Sequence, residues 1–135
     1  MELKIFIDGR DFSEKLEEKI GKFLSEASAL IERAVKDNTP VKSGATRNAW
    51  QSLTDSESHT AFIGNTMKNA VWEEFGTGEY ALSGKGRKDG WVYHDENGFH
   101  FTYGKPPRRC LWSAFTDSRQ DIIKLAEKLL SEEDQ

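Results

Sequence analysis

Four side chains in this 135-residue sequence could carry imidazole or thiolate chemistry: His59, His94, His100 and Cys110. No two share a helix-face spacing, and neither H-E-x-x-H nor C-x-x-C occurs, so the paired ligands of a zinc site are missing. A cysteine nucleophile needs a base and surroundings that lower its pKa. Cys110 has neither nearby in sequence and reads as a packed thiol. The adjacent carboxylates Glu73 and Glu74 suit acid–base work by type, but neighbours along a chain project differently, so one of them is expected to lie in solvent. The glycine-rich run from Gly76-Thr77-Gly78 to Gly84-Lys85-Gly86 resembles a phosphate cradle, yet Gly86 stands where a P-loop requires Ser or Thr after the lysine. These residues predict no catalytic site, no metal and no cofactor.

The elements that position them belong to one domain over residues 1–135, a natural size for a single core. The charged fraction is 31%, but eight Phe, four Trp and three Tyr supply the buried area that charge-rich disordered chains lack. No apolar run reaches the roughly 18–20 residues that cross a bilayer, and Met1-Glu2-Leu3-Lys4 does not begin a leader. The expectation is a chain without membrane contact that stays in the cell making it. The net charge of −4 is uneven: −1 over residues 1–36, −2 over 37–76, +2 over 77–116 and −3 over 117–135. The basic segment carries Lys85, Arg87 and Lys88, then Lys105, Arg108 and Arg109. The acidic remainder argues against a dedicated duplex-binding module.

Leu3, Ile5 and Ile7 alternate with mostly polar residues and predict a strand over 2–8. Asp11 and Glu14 have capping-box spacing, and Leu16, Ile20, Phe23, Ala27, Ile31 and Val35 follow at helical period, predicting a long helix over 12–37. Gly21 within it suggests close packing of another element. Thr39-Pro40 ends that helix. Ser43 is placed to cap a short helical piece from Ala45 to Trp50, and a polar turn at 55–58 leads to a strand over 59–64. Residues 70–75 form a short element of undecided type. Residues 79–90 hold glycines among basic side chains and predict a mobile loop. Asn97-Gly98 between aromatic runs predicts a hairpin over 91–103, with Glu96 opposite Phe99, His94 opposite Phe101 and Val92 opposite Tyr103. Asp95–His100 and Tyr93–Thr102 then occupy the other face. Leu111, Ala114, Phe115, Ile122, Leu125, Ala126 and Leu129 predict a second long helix over 109–131. The element order gives an α+β fold: an antiparallel sheet with a β-hairpin, packed against two long helices.

Three sequence blocks, in order, resemble the head-tail joining or tail-completion proteins of long-tailed bacteriophages and prophages. Thr39-Pro40-Val41-Lys42-Ser43-Gly44-Ala45-Thr46-Arg47-Asn48-Ala49-Trp50 is similar to the family pattern T-P-V-x-[ST]-G-x-L-R-x-S-W. Ile63-Gly64-Asn65, followed by Ala70-Val71-Trp72-Glu73-Glu74-Phe75-Gly76-Thr77-Gly78, is similar to V-G-N and Y-A-x-Y-V-E-x-G-T. Pro106-Pro107-Arg108 with Leu111 resembles the P-P-R-P-F-L segment that opens the last helix. The sequence departs from these patterns at Thr46, Asn69 and Arg109-Cys110, where leucine, tyrosine and proline-aromatic are usual. Every block has a shape-making role: Gly44 for a sharp turn, Gly76 and Gly78 for chain reversal, Pro106-Pro107 to preset the last helix.

The resemblance implies a structural protein, not an enzyme, that forms a ring of six or twelve copies in the virion neck or tail after assembly in the host cytoplasm. Its partners would be neighbouring copies and other neck or tail proteins. The expected partner-facing surface is Lys85, Arg87 and Lys88 with Trp91, Tyr93 and Phe99, and the opposite charges of 77–116 and 117–135 offer a pair of complementary patches. The alternative is a small nucleic-acid-binding protein that uses the same basic loop and aromatic hairpin, or contact with DNA in the ring channel.

Overall fold

The computed structural model describes residues 14–40 and 44–131. The strand predicted over 2–8, Asp11, the Ser43 cap and the acidic residues after Ser131 lie outside the described residues. The frame is a pair of helices, α1 (Glu14–Asn38) and α4 (Cys110–Leu130), close to their predicted bounds. Ile20, Phe23, Ala27, Ile31 and Val35 line the buried side of α1, while Ala114, Ser118, Ile122, Ala126 and Leu129 line that of α4. Both stripes repeat at three- or four-residue spacing, which keeps one side of each helix inward. The helices are antiparallel and tied at one end: Asn38 Nδ2 donates to the Cys110 carbonyl (3.2 Å), and Cys110 Sγ donates to the Asn38 carbonyl (3.3 Å). Small buried residues on both helices, Ala27, Ser28, Ala114 and Ser118, let the backbones approach.

Between them run α2 (Gly44–Asn48), β1 (Trp50–Asp55), β2 (Thr60–Asn65), α3 (Lys68–Phe75), a 3-10 turn (Gly78–Tyr80), β3 (Trp91–Asp95) and β4 (Gly98–Thr102). The fold is α+β, but the expected antiparallel sheet is two separate hairpins. The chain between β2 and β3 is taken up by α3 and the glycine-rich segment, and among the described residues no strand bridges the pairs. The first hairpin lies on α1. The second is held at its base by the segment after α3, where Thr77 N donates to the Lys105 carbonyl (2.9 Å) and Glu79 N to the Tyr103 carbonyl (3.0 Å).

Three local readings are corrected. The helical piece expected through Trp50 ends at Asn48, because the β-prone indole opens β1 and enters the core. The strand expected from His59 starts at Thr60, since His59 adopts a left-handed conformation (φ 52°) in the turn. In the second hairpin Asp95 faces Gly98, His94 faces Phe99 and Tyr93 faces His100, two residues out of the expected register. Asp95 Oδ1 accepts from Asn97 N (2.8 Å), an Asx turn that puts the loop at Glu96-Asn97 and leaves Gly98 in the strand at φ 108°. A two-residue shift preserves the faces, so Val92, His94, Phe99 and Phe101 still share one side.

Of the glycines assigned special roles, Gly76 fits its role: at φ 75° a Cβ there would lie 2.8 Å from the Tyr80 carbonyl oxygen and 2.9 Å from Pro107 Cδ. Beside Gly21 no described residue comes within 4 Å of where a Cβ would stand. Gly44 begins α2, and the residues that lead into it lie outside the described ones.

Candidate interaction site

The start of α4 lacks a cap of its own. Arg109, at the N-cap position, is left-handed (φ 58°, ψ 40°) and its side chain caps nothing, so the first N–H groups of the helix need an external acceptor. Glu74 of α3 supplies it: Oε2 accepts from Leu111 N (2.8 Å) and Oε1 from Trp112 N (3.0 Å). A carboxylate at this end also complements the helix dipole. Arg109 Nε stands 3.8 Å from Glu74 Oε1. The neighbouring Glu73 takes Lys105 Nζ at 2.5 Å on Oε1 and Arg108 Nε at 3.0 Å on Oε2, the second an ion pair without hydrogen-bond alignment. Its backbone carbonyl accepts from Arg108 N (2.6 Å). The expectation that one of these acids is exposed is therefore wrong: Glu73 and Glu74 are 8% and 6% exposed. Because α3 begins at Lys68, both acids fall on its inner side with Ala70, and the cations that follow Gly104 neutralise them there.

The other motif residues gather around the same joint. Thr39 Oγ1 donates to the Val35 carbonyl (2.6 Å) and accepts from Trp50 Nε1 (2.9 Å), locking the end of α1 to β1 just before Pro40. Asn65 Nδ2 donates to the Thr46 carbonyl (2.7 Å), while its Oδ1 accepts from Met67 N (2.8 Å), coupling α2 to the start of α3. Arg47 Nη2 lies 3.7 Å from Asp37 Oδ1. Thr77 Oγ1 accepts from Lys105 N (2.9 Å), and Gly78 fits so tightly that a Cβ would meet the Tyr103 carbonyl. Gly64 sits in β2 opposite Gln51 with open space around it.

The residues picked for chemistry stay apart. His59 stands 3.9 Å from Glu17 Oε1 beside a cavity of about 290 Å³ lined by Ile20, Leu24 and Glu57. His94 and His100 occupy opposite faces of the second hairpin. His100 Nε2 is 2.8 Å from Asp95 Oδ1; the Asn97 backbone N–H first, and then His100, hold the Asp95 carboxyl below its usual range. Burial, reinforced by the Glu74 and Glu73 charges, pushes the Cys110 thiol up and keeps it protonated. Among the described residues no group of three or more His, Cys, Asp or Glu could hold a metal ion, and no helix is long and apolar enough to cross a membrane.

The expected partner surface is split. Lys85, Arg87 and Lys88 are exposed, with Arg87 Nε bound to Asp89 Oδ1 (2.9 Å). Trp91 is half-buried against Gly78, and Tyr93 stacks on His100 (centroids 5.2 Å apart). Phe99 lies on the other face, 80% exposed, beside Val92, Phe101 and Tyr103. The charge pairing expected from the last segment also changes. Within 117–131 three basic residues balance three acidic ones, and the excess of −3 falls on Glu132, Glu133 and Asp134, outside the described residues.

A second apolar patch was not foreseen: Val71, Trp72 and Phe75 on the outer side of α3, with Leu82 and Trp112, all about half exposed or more. Arg109 lies between two of its rings, 5.5 Å from Phe75 and 5.6 Å from Trp112. Spacing of 71, 72 and 75 marks one helix face only once 68–75 is known to be helical. Compared with protein-family models, curated proteins and solved structures, the chain matches none.

Proposed function

We propose that the chain is a structural protein of the phage neck, joining head to tail or completing the tail as a ring that docks on neighbouring neck proteins. The observation that supports this reading is the division of labour among its residues. Among the described residues, Thr39, Asn65, Glu73, Glu74 and Thr77 of these blocks are spent on internal contacts, and the large aromatic residues of the second hairpin and α3 are left facing water. Composition of that kind, Trp, Phe and Tyr with Arg, is typical of protein contact surfaces. Nucleic-acid binding has weaker support, because Arg87 is tied to Asp89 and Lys105 and Arg108 to Glu73. The test is a phage lacking the protein: DNA-filled heads and unattached tails are expected to accumulate, and the purified chain is expected to restore joined, infectious particles. Full infectivity without it contradicts the proposal.

A further inference from the structure

Two unlike apolar surfaces stand on one chain. One is the hairpin face of Val92, Phe99, Phe101 and Tyr103; the other is the α3–α4 patch of Val71, Trp72, Phe75, Leu82 and Trp112. Among the described residues no ring contact joins them. From their fractional exposures, each leaves roughly 500 Å² of side chain to water, near the upper end of what a monomer displays in its largest single patch. Brought together, they would bury roughly 1,000 Å², about the threshold for a specific interface before any polar rim is added.

The charges beside them have opposite sign. The hairpin tip carries the exposed acids Asp95 and Glu96. The α4 start carries Lys105, Arg108 and Arg109, of which the first two are 56% exposed, against the two buried carboxylates Glu73 and Glu74. Three cations against two carboxylates leave one net positive charge there, and a hairpin laid across α3 would bring the Glu96 carboxylate toward it.

We infer that the hairpin face of one copy docks on the α3–α4 patch of a second copy of this chain. The inference rests on the neck reading and names the surfaces that close its ring. In the ring the contact is heterologous, each copy giving its hairpin to one neighbour and taking a hairpin from another, so every added copy presents the same free patch again and ring closure satisfies the last one. The strands contribute to this choice. β3 and β4 contain no Lys, Arg or Pro and no bulge, the devices that keep an exposed hairpin from associating.

The test is sedimentation of the purified full chain and of Phe99→Glu and Trp72→Glu, with Val92→Glu and Val71→Glu as second variants for the same two patches. All four positions are exposed, so an unchanged Tm is expected and is checked first. Wild type sediments as a closed oligomer, and each variant as a 15.4 kDa monomer. A mixture of Phe99→Glu with Trp72→Glu has one intact junction, between the α3–α4 patch of the first and the hairpin of the second, and sediments at twice the monomer mass but no higher. A monomeric wild type, a variant that still closes, or a mixture that stays monomeric overturns the pairing. If the chain restores head–tail joining yet never self-associates, the pairing fails and the neck reading stands. Rings that form as described but do not restore joining leave the pairing and remove the neck reading.

Discussion

The two hairpins have nearly equal length and opposite surroundings. In β1–β2, a mostly polar pair of strands sends Trp50 into the core at 5% exposure and rests on α1. In β3–β4, a more aromatic pair stands away from the helices, with Phe99 80% exposed. An isolated two-stranded hairpin is at best marginally stable in water, and the second is held through its base at Thr77, Glu79 and Gly78. Apolar side chains that add little to the fold point to a use outside it. The first hairpin turns one face, at Trp50 and Ile63, onto the core and leaves its Leu53–Phe62 pair in solvent, whereas no residue of β3 or β4 is buried.

Substitutions sharpen this contrast. Trp50→Ala removes a buried indole and its hydrogen bond to Thr39, and is expected to cost about 3–5 kcal/mol in a urea titration. A loss under about 1 kcal/mol would put β1–β2 in the same class as β3–β4. Glu74→Ala strips two N–H groups at the α4 start of their acceptor and is expected to cost about 2–4 kcal/mol, with Glu74→Gln recovering part of it by keeping one acceptor oxygen. If both variants lose equally, the charge near Arg109 matters more than the cap. Phe99→Ala is expected to change stability by less than about 0.5 kcal/mol, against the large loss at Trp50.

The smallest effect is a pH dependence at the hairpin tips: the Ser58 side chain and then the Glu57 backbone N–H hold the Asp55 carboxyl below its usual range, as Asn97 and His100 do for Asp95. The folded Asp95 carboxyl titrates below its unfolded range, so its contribution is complete above the ordinary Asp pKa of about 3.9 and is lost as pH falls through the folded value. NMR shifts of the 95–100 loop should therefore move in acid while the Trp50 indole N–H signal stays in place. Movement of the Trp50 signal that persists in Asp55→Asn would mean the hairpins are not independent.

The long helices were legible because Phe23, Ala27, Ile31 and Val35 repeat at every fourth position, as do Ala114, Ile122 and Ala126 with one gap. That gap is Ser118; like Ser28 it is buried because it is small, a property that apolar periodicity does not register. β1 escaped notice since Gln51, Ser52 and Thr54 give it little apolar alternation. The hairpin faces were readable from period two, but its register depended on the Asp95–Asn97 hydrogen bond. The joint was hidden by sequence separation, with Glu74 acting 37 and 38 residues downstream. One clue was present: a helix begins after Pro106-Pro107 with Arg109, and not a capping residue, at its head. Such a helix must borrow its cap from elsewhere in the fold.

If the exposed aromatic residues serve contact between molecules, assembly must shield them from solvent. Hydroxyl-radical oxidation, read by mass spectrometry residue by residue, tests it in the dilute subunit and in the assembled oligomer. Labelling of Phe99, Phe101, Trp72 and Trp112 is predicted to fall on assembly, while buried Trp50 remains protected in both. Equal labelling of those four residues in the two states would contradict the account.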